Sequence, residues 1–322
     1  MKRRDLLSAI GIGATCALPR AWAASPAGEL QCVVPAKPGG GFDVTCQLLA
    51  ALVGPLPIVY HPGGIGALAY GEVVRGLRSH PRELLAFSSG TLLNLAQGRF
   101  GPWRADRIRW VAGIARDVGV VAVHPDAPWR SLADLLAALR ARPASVAFAA
   151  GGTIGSQDWM KAALLAQAAG VSHKSLRMVA FEGGGDALGA LMGRHVQVLC
   201  GDAGELAAAR LTGSRVRLLA VLAPTRLDGA LEGIPTALEQ GVDVQWPILR
   251  GVYASADFPP ADLAAVVDRI GQALRAPAHA QRTAARGLRP LALVGEALER
   301  EVGGQITRYS ALAKSFGLGM GR

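Results

Sequence analysis

Short apolar segments alternate with amphipathic helical segments along most of this chain. An apolar run over residues 30–34 is followed by a Pro/Gly loop and a helical pattern over 43–52. The same rhythm starts again after His124, with an apolar run over 146–149. This alternation predicts an α/β fold. Two such units, between which the chain passes twice, imply two lobes with a ligand cleft between them. We expect lobe 1 to comprise residues 24–124 plus 248–322 and lobe 2 residues 125–247.

The first 23 residues have the pattern of an export signal. Three basic residues at positions 2–4 precede an apolar stretch, and Ala21-Trp22-Ala23 is a small-x-small cleavage site. A general secretory signal and a twin-arginine signal both fit this pattern. We therefore expect cleavage after residue 23 and a mature protein in the periplasm.

Charge and composition narrow the class of partner. The net charge falls from +10 to +7 when the four basic residues and one acidic residue of the signal are removed. A mildly basic exported protein suits a small anionic ligand, because a positive field raises its encounter rate. Arginine and aromatic residues interleave over 99–110, but no nucleic-acid motif accompanies them, so we expect no nucleic-acid partner. The longest charge-free run, 44–71, is broken by proline and glycine and cannot form a membrane span.

Three cysteines remain after cleavage, at Cys32, Cys46 and Cys200. Cys32 and Cys46 form a disulfide if the first strand and the first helix bring them close enough. The alternative, which we favour, is that all three are small buried residues. No CxxC spacing is present, so the cysteines give no support for a thiolate metal site or a redox pair.

Three glycine-rich loops, at residues 38–43, 151–156 and 182–186, each join a strand to a helix. Glycine lets the backbone approach a ligand closely, and a helix N-terminus adds unpaired N–H groups with about half a positive charge. Each loop is therefore a candidate anion seat, and two facing seats would hold a molecule with two or more carboxylates. A serine loop at 88–91 adds hydroxyl donors, with simple helix capping as its alternative. The candidate ligand-binding residues are Gly39, Gly40, Gly41, Phe42, Asp43, Ser88, Ser89, Gly90, Gly152, Thr153, Ile154, Gly155, Ser156, Gly184, Asp202 and Arg250.

Three charged residues of this set have alternative roles. We expect Asp43 to cap the first helix, because a carboxylate beside an anion seat would repel the ligand. Asp202 either orders the cleft or caps its helix, and capping is favoured. Arg250 lies in the segment that returns to lobe 1, where it either clamps a carboxylate bidentately or faces solvent at the hinge.

Several motifs, in order along the mature chain, resemble those of the periplasmic receptors of tripartite tricarboxylate transporters, also called Bug receptors. The stretches at 151–159 and 92–98 look like the citrate-type branch in particular. An arginine-rich region over 99–109 and the absence of an Asn-Arg lead-in before residue 63 depart from the family pattern. The motifs that carry the resemblance are Gly39-Gly40-Gly41-Phe42-Asp43, Phe87-Ser88-Ser89-Gly90, Gly151-Gly152-Thr153-Ile154-Gly155-Ser156-Gln157-Asp158-Trp159, Phe181-Glu182-Gly183-Gly184-Gly185 and Trp246-Pro247-Ile248-Leu249-Arg250-Gly251.

The resemblance implies a two-domain, type II periplasmic binding protein-like fold, a Venus flytrap. It also implies a small, citrate-like carboxylate ligand held by backbone amides of the first and second glycine loops. Delivery would be to an inner-membrane transporter with one large and one small subunit. We expect a monomer without a cofactor.

Enzymatic alternatives have weaker support from the residues. Gly64 and Gly66 match part of a dinucleotide-binding pattern, but the next strand ends without the acidic residue that would hold the ribose. His195, Cys200 and Asp202 form only a loose cluster for a metal. We expect no catalytic residues and no metal. A receptor that hands its liganded form to a signalling partner stays open as an alternative, because the same closed cleft would serve both roles.

Overall fold

The computed structural model describes residues 29–78, 80–101 and 105–318. The expected signal at 1–23, and Trp103 and Arg104 of the arginine-rich region, lie outside the described residues. The strands of the described part are β1 (Gln31–Val34), β2 (Ile58–Tyr60), β3 (Glu83–Ser88), β4 (Ile108–Val123), β5 (Ala147–Gly151), β6 (Arg177–Phe181), β7 (Val198–Leu199), β8 (Arg217–Leu222), β9 (Pro247–Ser255) and β10 (Arg289–Leu293). The α-helices are α1 (Gly41–Val53), α2 (Ala67–Val74), α3 (Ser89–Ala96), α4 (Leu132–Ala141), α5 (Gln157–Ala168), α6 (Gly184–Met192), α7 (Ala203–Leu211), α8 (Pro260–Arg275), α9 (Pro277–Ala284) and α10 (Gly295–Ser315).

Two sheets share the long strand β4. In the first sheet the order is β2-β1-β3-β9-β4-β10, with β1 parallel to β2 and β3 and the remaining pairs antiparallel. From Gly119 onward β4 belongs to the second sheet, ordered β8-β4-β7-β5-β6, where β5 is parallel to β6 and β7. The α/β class predicted from the sequence is therefore confirmed.

The inner strands are buried on both faces, which explains their continuous apolar sequences. All six residues of β3 are buried, and so are all four residues of β1. Helices cover both faces of each sheet, and their apolar residues complete the hydrophobic core. Within the described ranges no helix combines the length and apolar character needed to cross a membrane.

A disulfide joins Cys32 of β1 to Cys46 of α1, with their Cα atoms 5.7 Å apart. The interpretation favoured from the sequence, that all three cysteines are unpaired buried residues, was wrong for these two. The strand and the helix that follows it pack directly on each other, and this packing brings together two cysteines 14 positions apart. Cys200 is free and buried, and burial raises the pKa of its thiol to about 12. That thiol therefore stays protonated and unreactive at neutral pH.

Candidate functional site

A cavity of about 50 Å³ lies between the two sheets. It has room for a few water molecules, at roughly 10–15 Å³ each, or for a small part of a larger ligand. The first turns or N-cap residues of five described helices reach its wall, namely those of α1, α3, α5, α6 and α7. Because the first N–H groups of a helix lack partners within the helix, these ends together create a positive local potential. The cavity is therefore suited to an anion.

The first glycine loop reaches the cavity through Gly40, Gly41 and Phe42. Gly39 and Asp43 lie behind it, where the Asp43 carboxylate accepts a hydrogen bond of 2.8 Å from the Gly39 N–H. The expectation that Asp43 is the helix cap was wrong, because the N-cap residue of α1 is Gly40 and has no side-chain cap. Asp43 instead fixes the shape of the loop that presents Gly40 and Gly41 to the cavity.

The third glycine loop, not the second, lies opposite the first. A Cβ atom added to Gly40 would be 3.5 Å from the Gly184 nitrogen, so the two loops almost touch. From the second loop, Ser156 reaches the cavity. Gly152, Thr153 and Ile154 line a separate, more open cavity of about 510 Å³.

Of the two remaining residues of the second loop, Gly151 lines the central cavity and Gly155 does not. The Gly155 carbonyl oxygen accepts a hydrogen bond of 2.9 Å from the Gln97 side chain. Arg99 reaches the same loop, donating to the Thr153 hydroxyl at 2.9 Å and to the Ile154 carbonyl. These contacts cross from the α3 side of the first sheet to the second. The second loop thus ties the two halves together in this conformation.

The serine loop contributes Ser88 and Gly90 to the cavity wall, but not Ser89. Ser88 is the N-cap of α3 and accepts the Gly90 N–H at 3.1 Å, so capping and lining occur together. The Ser89 hydroxyl donates to Gln305 at 2.7 Å and accepts the Leu249 N–H at 2.8 Å. Ser89 is therefore committed to the packing of α3, β9 and α10.

Arg250 of β9 is fully buried, so the solvent-facing hinge arginine considered from the sequence was wrong. Its Nε atom donates to Asp117 at 2.7 Å, and its Nη2 atom donates to Asp202 at 2.9 Å. Its Nη1 atom is buried and has no hydrogen-bond partner. Arg250 lines the cavity, and this nitrogen lies against Gly41 at the start of α1, where an added Cβ atom would overlap it.

A second buried cation, Lys161 of α5, completes an ion-pair network. Its Nζ atom lies 2.7 Å from Asp202 and 2.9 Å from Asp158, and it donates to the Gly201 carbonyl at 2.6 Å. Burial alone would lower the pKa of Lys161, but the two aspartates outweigh it and raise that pKa, so the side chain stays charged.

Asp202 connects the two cations. It occupies the N-cap position of α7 without making a cap hydrogen bond, so the favoured capping role was wrong. Burial alone would raise its pKa, but Lys161 and Arg250 outweigh it and lower that pKa. Gln157 also donates to this carboxylate at 2.8 Å, while the other amide atom of Gln157, Oε1, is buried without a partner.

Sequence reasoning missed Asp117, Lys161 and Glu205. Lys161 had a detectable signal, because it is the only charged residue between Asp158 and His173 in an otherwise apolar helix. Asp117 and Glu205 gave no such signal, since each has ordinary neighbours and reaches the site only through the crossing of β4 and α7. Glu205 is buried, and one of its carboxyl oxygens accepts the Gly41 N–H.

Two patterns considered as enzymatic have other roles. His195, Cys200 and Asp202 do not form a metal centre: across the described ranges, no group of three or more His, Cys, Asp or Glu side chains is placed to hold an ion. The loop over 63–66 faces the cleft through Ile65, which has a left-handed φ of 52°. Its N–H lies 3.4 Å from a carboxylate oxygen of Glu182, beside the third glycine loop.

Known proteins of one family are similar to this chain. A family model described as "Tripartite tricarboxylate transporter family receptor" (TctC) matches residues 96–318. The protein BugT of Bordetella pertussis is 26% identical over 333 residues, which cover 98% of this chain and 99% of BugT.

Two solved structures from Rhodopseudomonas palustris share the fold. One, solved with adipate, gives a TM-score of 0.80 at 22% identity and covers 90% of this chain and 97% of that chain. The other, MatC with bound malate, gives a TM-score of 0.74 at 23% identity and covers 88% of this chain and 98% of that chain. The expected periplasmic binding protein-like architecture, a two-domain Venus flytrap, is confirmed.

Proposed function

This chain belongs to the family of tripartite tricarboxylate transporter receptors, and on that premise we propose that it captures a di- or tricarboxylate in the periplasm. The captured acid, citrate-like in charge, is delivered to the large and small inner-membrane subunits of a transporter. One observation carries the proposal: five helix N-termini and the unpartnered Nη1 of Arg250 meet at one cavity. The protein acts without catalytic turnover.

Arg250 is the anchor for one carboxylate of the ligand. The guanidinium is held in place by Asp117 and Asp202 through Nε and Nη2, so Nη1 is already oriented before a ligand arrives. A charge-assisted hydrogen bond from a fixed guanidinium is short and strong. The Ser88 hydroxyl and the amides of Gly40 and Gly184 lie on the same wall and supply further donors.

Closure of the cleft accompanies capture. In this conformation Lys37, in the loop before α1, forms an ion pair of 2.9 Å with Asp186 of α6 across the cleft. Arg99 reaches Thr153 and Ile154 in the same way. These contacts surround a cavity of only about 50 Å³, so entry and exit of an acid require the lobes to separate.

The proposal also concerns the size and charge of the bound acid. The related structures were solved with a four-carbon and a six-carbon dicarboxylate, malate and adipate. The starts of α1 and α6, at Gly41 and Gly184, lie close together and suit one carboxylate of the ligand, and the start of α3 at Ser88 on the same cavity suits another. A ligand with two or three carboxylates meets this requirement.

Isothermal titration calorimetry with malate, succinate, adipate, citrate and glutamate tests the proposal. We expect at least one of these acids to bind, and Arg250→Lys to weaken that binding at least tenfold, because lysine keeps the charge but loses the planar fork. Arg116→Lys, at a half-exposed position on β4, is the matched control and should bind normally. Binding of no carboxylate, or of a nucleotide instead, would contradict the proposal.

Export and delivery have their own tests. Amino-terminal sequencing of the protein from a periplasmic fraction should begin at Ala24. Vesicles that contain the two membrane subunits should take up the acid only when the loaded receptor is added. Unaided uptake, or a response confined to a signalling protein, would favour the sensing role instead.

A further inference from the structure

Glu205 places a carboxyl group on the wall of the cavity. One of its oxygens accepts the N–H of Gly41 at the start of α1, and the carboxyl lies against the start of α6, where a Cβ atom on Gly184 would overlap it. The residue is only 8% exposed, and no cation of the described residues lies within ion-pair distance of it. Glu205 therefore occupies part of the space expected for a ligand carboxylate.

The buried side-chain charges around Glu205 leave no cation to compensate its own carboxylate. Three buried aspartates, Asp117, Asp158 and Asp202, are paired with only two buried cations, Lys161 and Arg250. The network thus carries one excess negative charge before any ligand enters. An ionised Glu205 beside an anionic ligand would add further unbalanced charge at a buried position. A buried acid in this position takes up a proton instead.

The electrostatic surroundings of Glu205 also favour its protonated form. Burial, followed by the charges of Asp202 and Asp158, raises the pKa of Glu205 well above its usual range, and Arg250 and Lys161 offset only part of this. The Gly41 N–H favours the ionised form, but one such hydrogen bond does not outweigh the other contributions. The charged groups on the elements packed around Glu205 are Lys37 and Asp43 near the start of α1, Asp117 of β4, Asp158 and Lys161 of α5, Glu182 and Asp186 near the start of α6, Asp202 before α7, and Arg250 of β9.

We propose that Glu205 is a specificity-determining residue, whose protonated carboxyl donates a hydrogen bond to a carboxylate of the bound acid beside Arg250. The inference rests on the proposed function and adds to it a hydrogen bond between Glu205 and the ligand. One oxygen of Glu205 accepts from Gly41, and the hydroxyl on the other donates to the ligand. The neutral carboxyl selects a hydrogen-bond acceptor such as a carboxylate, whereas an ammonium group would favour the ionised form of Glu205.

Capture of the acid is consequently linked to a proton. When the lobes separate, we expect Glu205 to leave Gly41, face water and ionise at neutral pH, as an ordinary glutamate does. In the closed complex its pKa is raised, so the complex holds one proton more than the open receptor. Affinity is then greatest at low pH and falls as pH rises, by up to about tenfold per pH unit for one linked proton.

Calorimetry in buffers of different ionisation enthalpy measures this proton directly. The probe is L-malate at pH 6, 7 and 8, replaced by succinate, adipate or citrate if one of those is the acid that binds. We expect uptake of close to one proton per acid at pH 7–8 in the unaltered protein. Glu205→Gln, which keeps a donor but cannot ionise, should bind with no uptake and with an affinity that does not change from pH 6 to pH 8.

Two further variants separate this role from a structural one. Glu205→Met fills similar space without a donor and should bind at least tenfold more weakly than Glu205→Gln at pH 6. Glu299→Gln, at an exposed position on α10, is the control and should keep the proton uptake. Binding without proton uptake, or equal uptake by Glu205→Gln, would overturn the role of Glu205 and leave the receptor function standing. Binding of no acid at any pH would overturn both.

Discussion

Replacing Arg250 by alanine removes the cation that two buried aspartates share. Asp117 and Asp202 are each 2% exposed, so both carboxylates stay in the interior. Asp202 keeps Lys161 at 2.7 Å, whereas Asp117 loses its ion-pair partner. Breaking a buried ion pair from one side costs about 3–5 kcal/mol, because the remaining charge is uncompensated. For a chain of this size that loss corresponds to a fall in melting temperature of roughly 6–20 °C.

The loss of folding stability in Arg250→Ala should increase with pH. Burial already raises the pKa of Asp117 above its ordinary value, and without the opposing charge of Arg250 that pKa rises further. The folded variant then binds more protons than the unfolded one, so its stability is retained at low pH and lost as pH rises. Urea unfolding of both proteins at pH 5 and pH 8 should therefore show the larger difference at pH 8.

Arg116→Ala provides the matched comparison. Arg116 lies on the neighbouring strand β4, where its half-exposed side chain is 3.6 Å from Glu301. Exposed pairs of this kind contribute about 0–1 kcal/mol. A loss below about 1 kcal/mol for Arg250→Ala, or one no larger than that of Arg116→Ala, would refute the assignment of Arg250 to a tightly coupled buried network.

Two further predictions concern the first lobe and α6. Replacing both Cys32 and Cys46 by alanine should lower the free energy of unfolding by about 3 kcal/mol, since the bond closes a loop of about 15 residues in the unfolded chain; an unchanged urea midpoint would argue against this. Gly184→Ala should weaken acid binding in calorimetry, because its Cβ would displace the Glu205 carboxyl. Gly189→Ala on the same helix meets no atom within 4 Å and should bind normally; equal effects of the two would contradict the site.

The fold could be predicted from the sequence because its determinants are local. Apolar runs, helical patterns and glycine punctuation each act over a few residues, and the α/β class follows from their alternation. The loop that carries Gly40 and Gly41 was identifiable in the same way, since it lies between a strand and a helix that are adjacent in the chain. Its placement on the cavity wall agrees with that reasoning.

The partners across the cleft could not be predicted, because tertiary packing decides them. The second glycine loop, with Gly152, was expected to hold the ligand together with the first loop. Gly184 of the third loop faces Gly40 instead, since the order of strands in the second sheet brings the start of α6 to the cleft. The three loops have equivalent local patterns, so spacing alone does not distinguish them. Asp202 was interpreted as a cap for the same reason: its paired cations lie 41 and 48 positions away.

The most direct test of the anion site is a crystal structure of the protein purified from the periplasm without refolding and grown with the acid that calorimetry identifies. We expect density for that acid in the cavity, with a carboxylate oxygen within hydrogen-bond distance of Arg250 Nη1 and facing the starts of α1 and α6. An acid bound elsewhere, for example in the open cavity beside Thr153, with Nη1 still lacking a partner at saturating concentration, would contradict it.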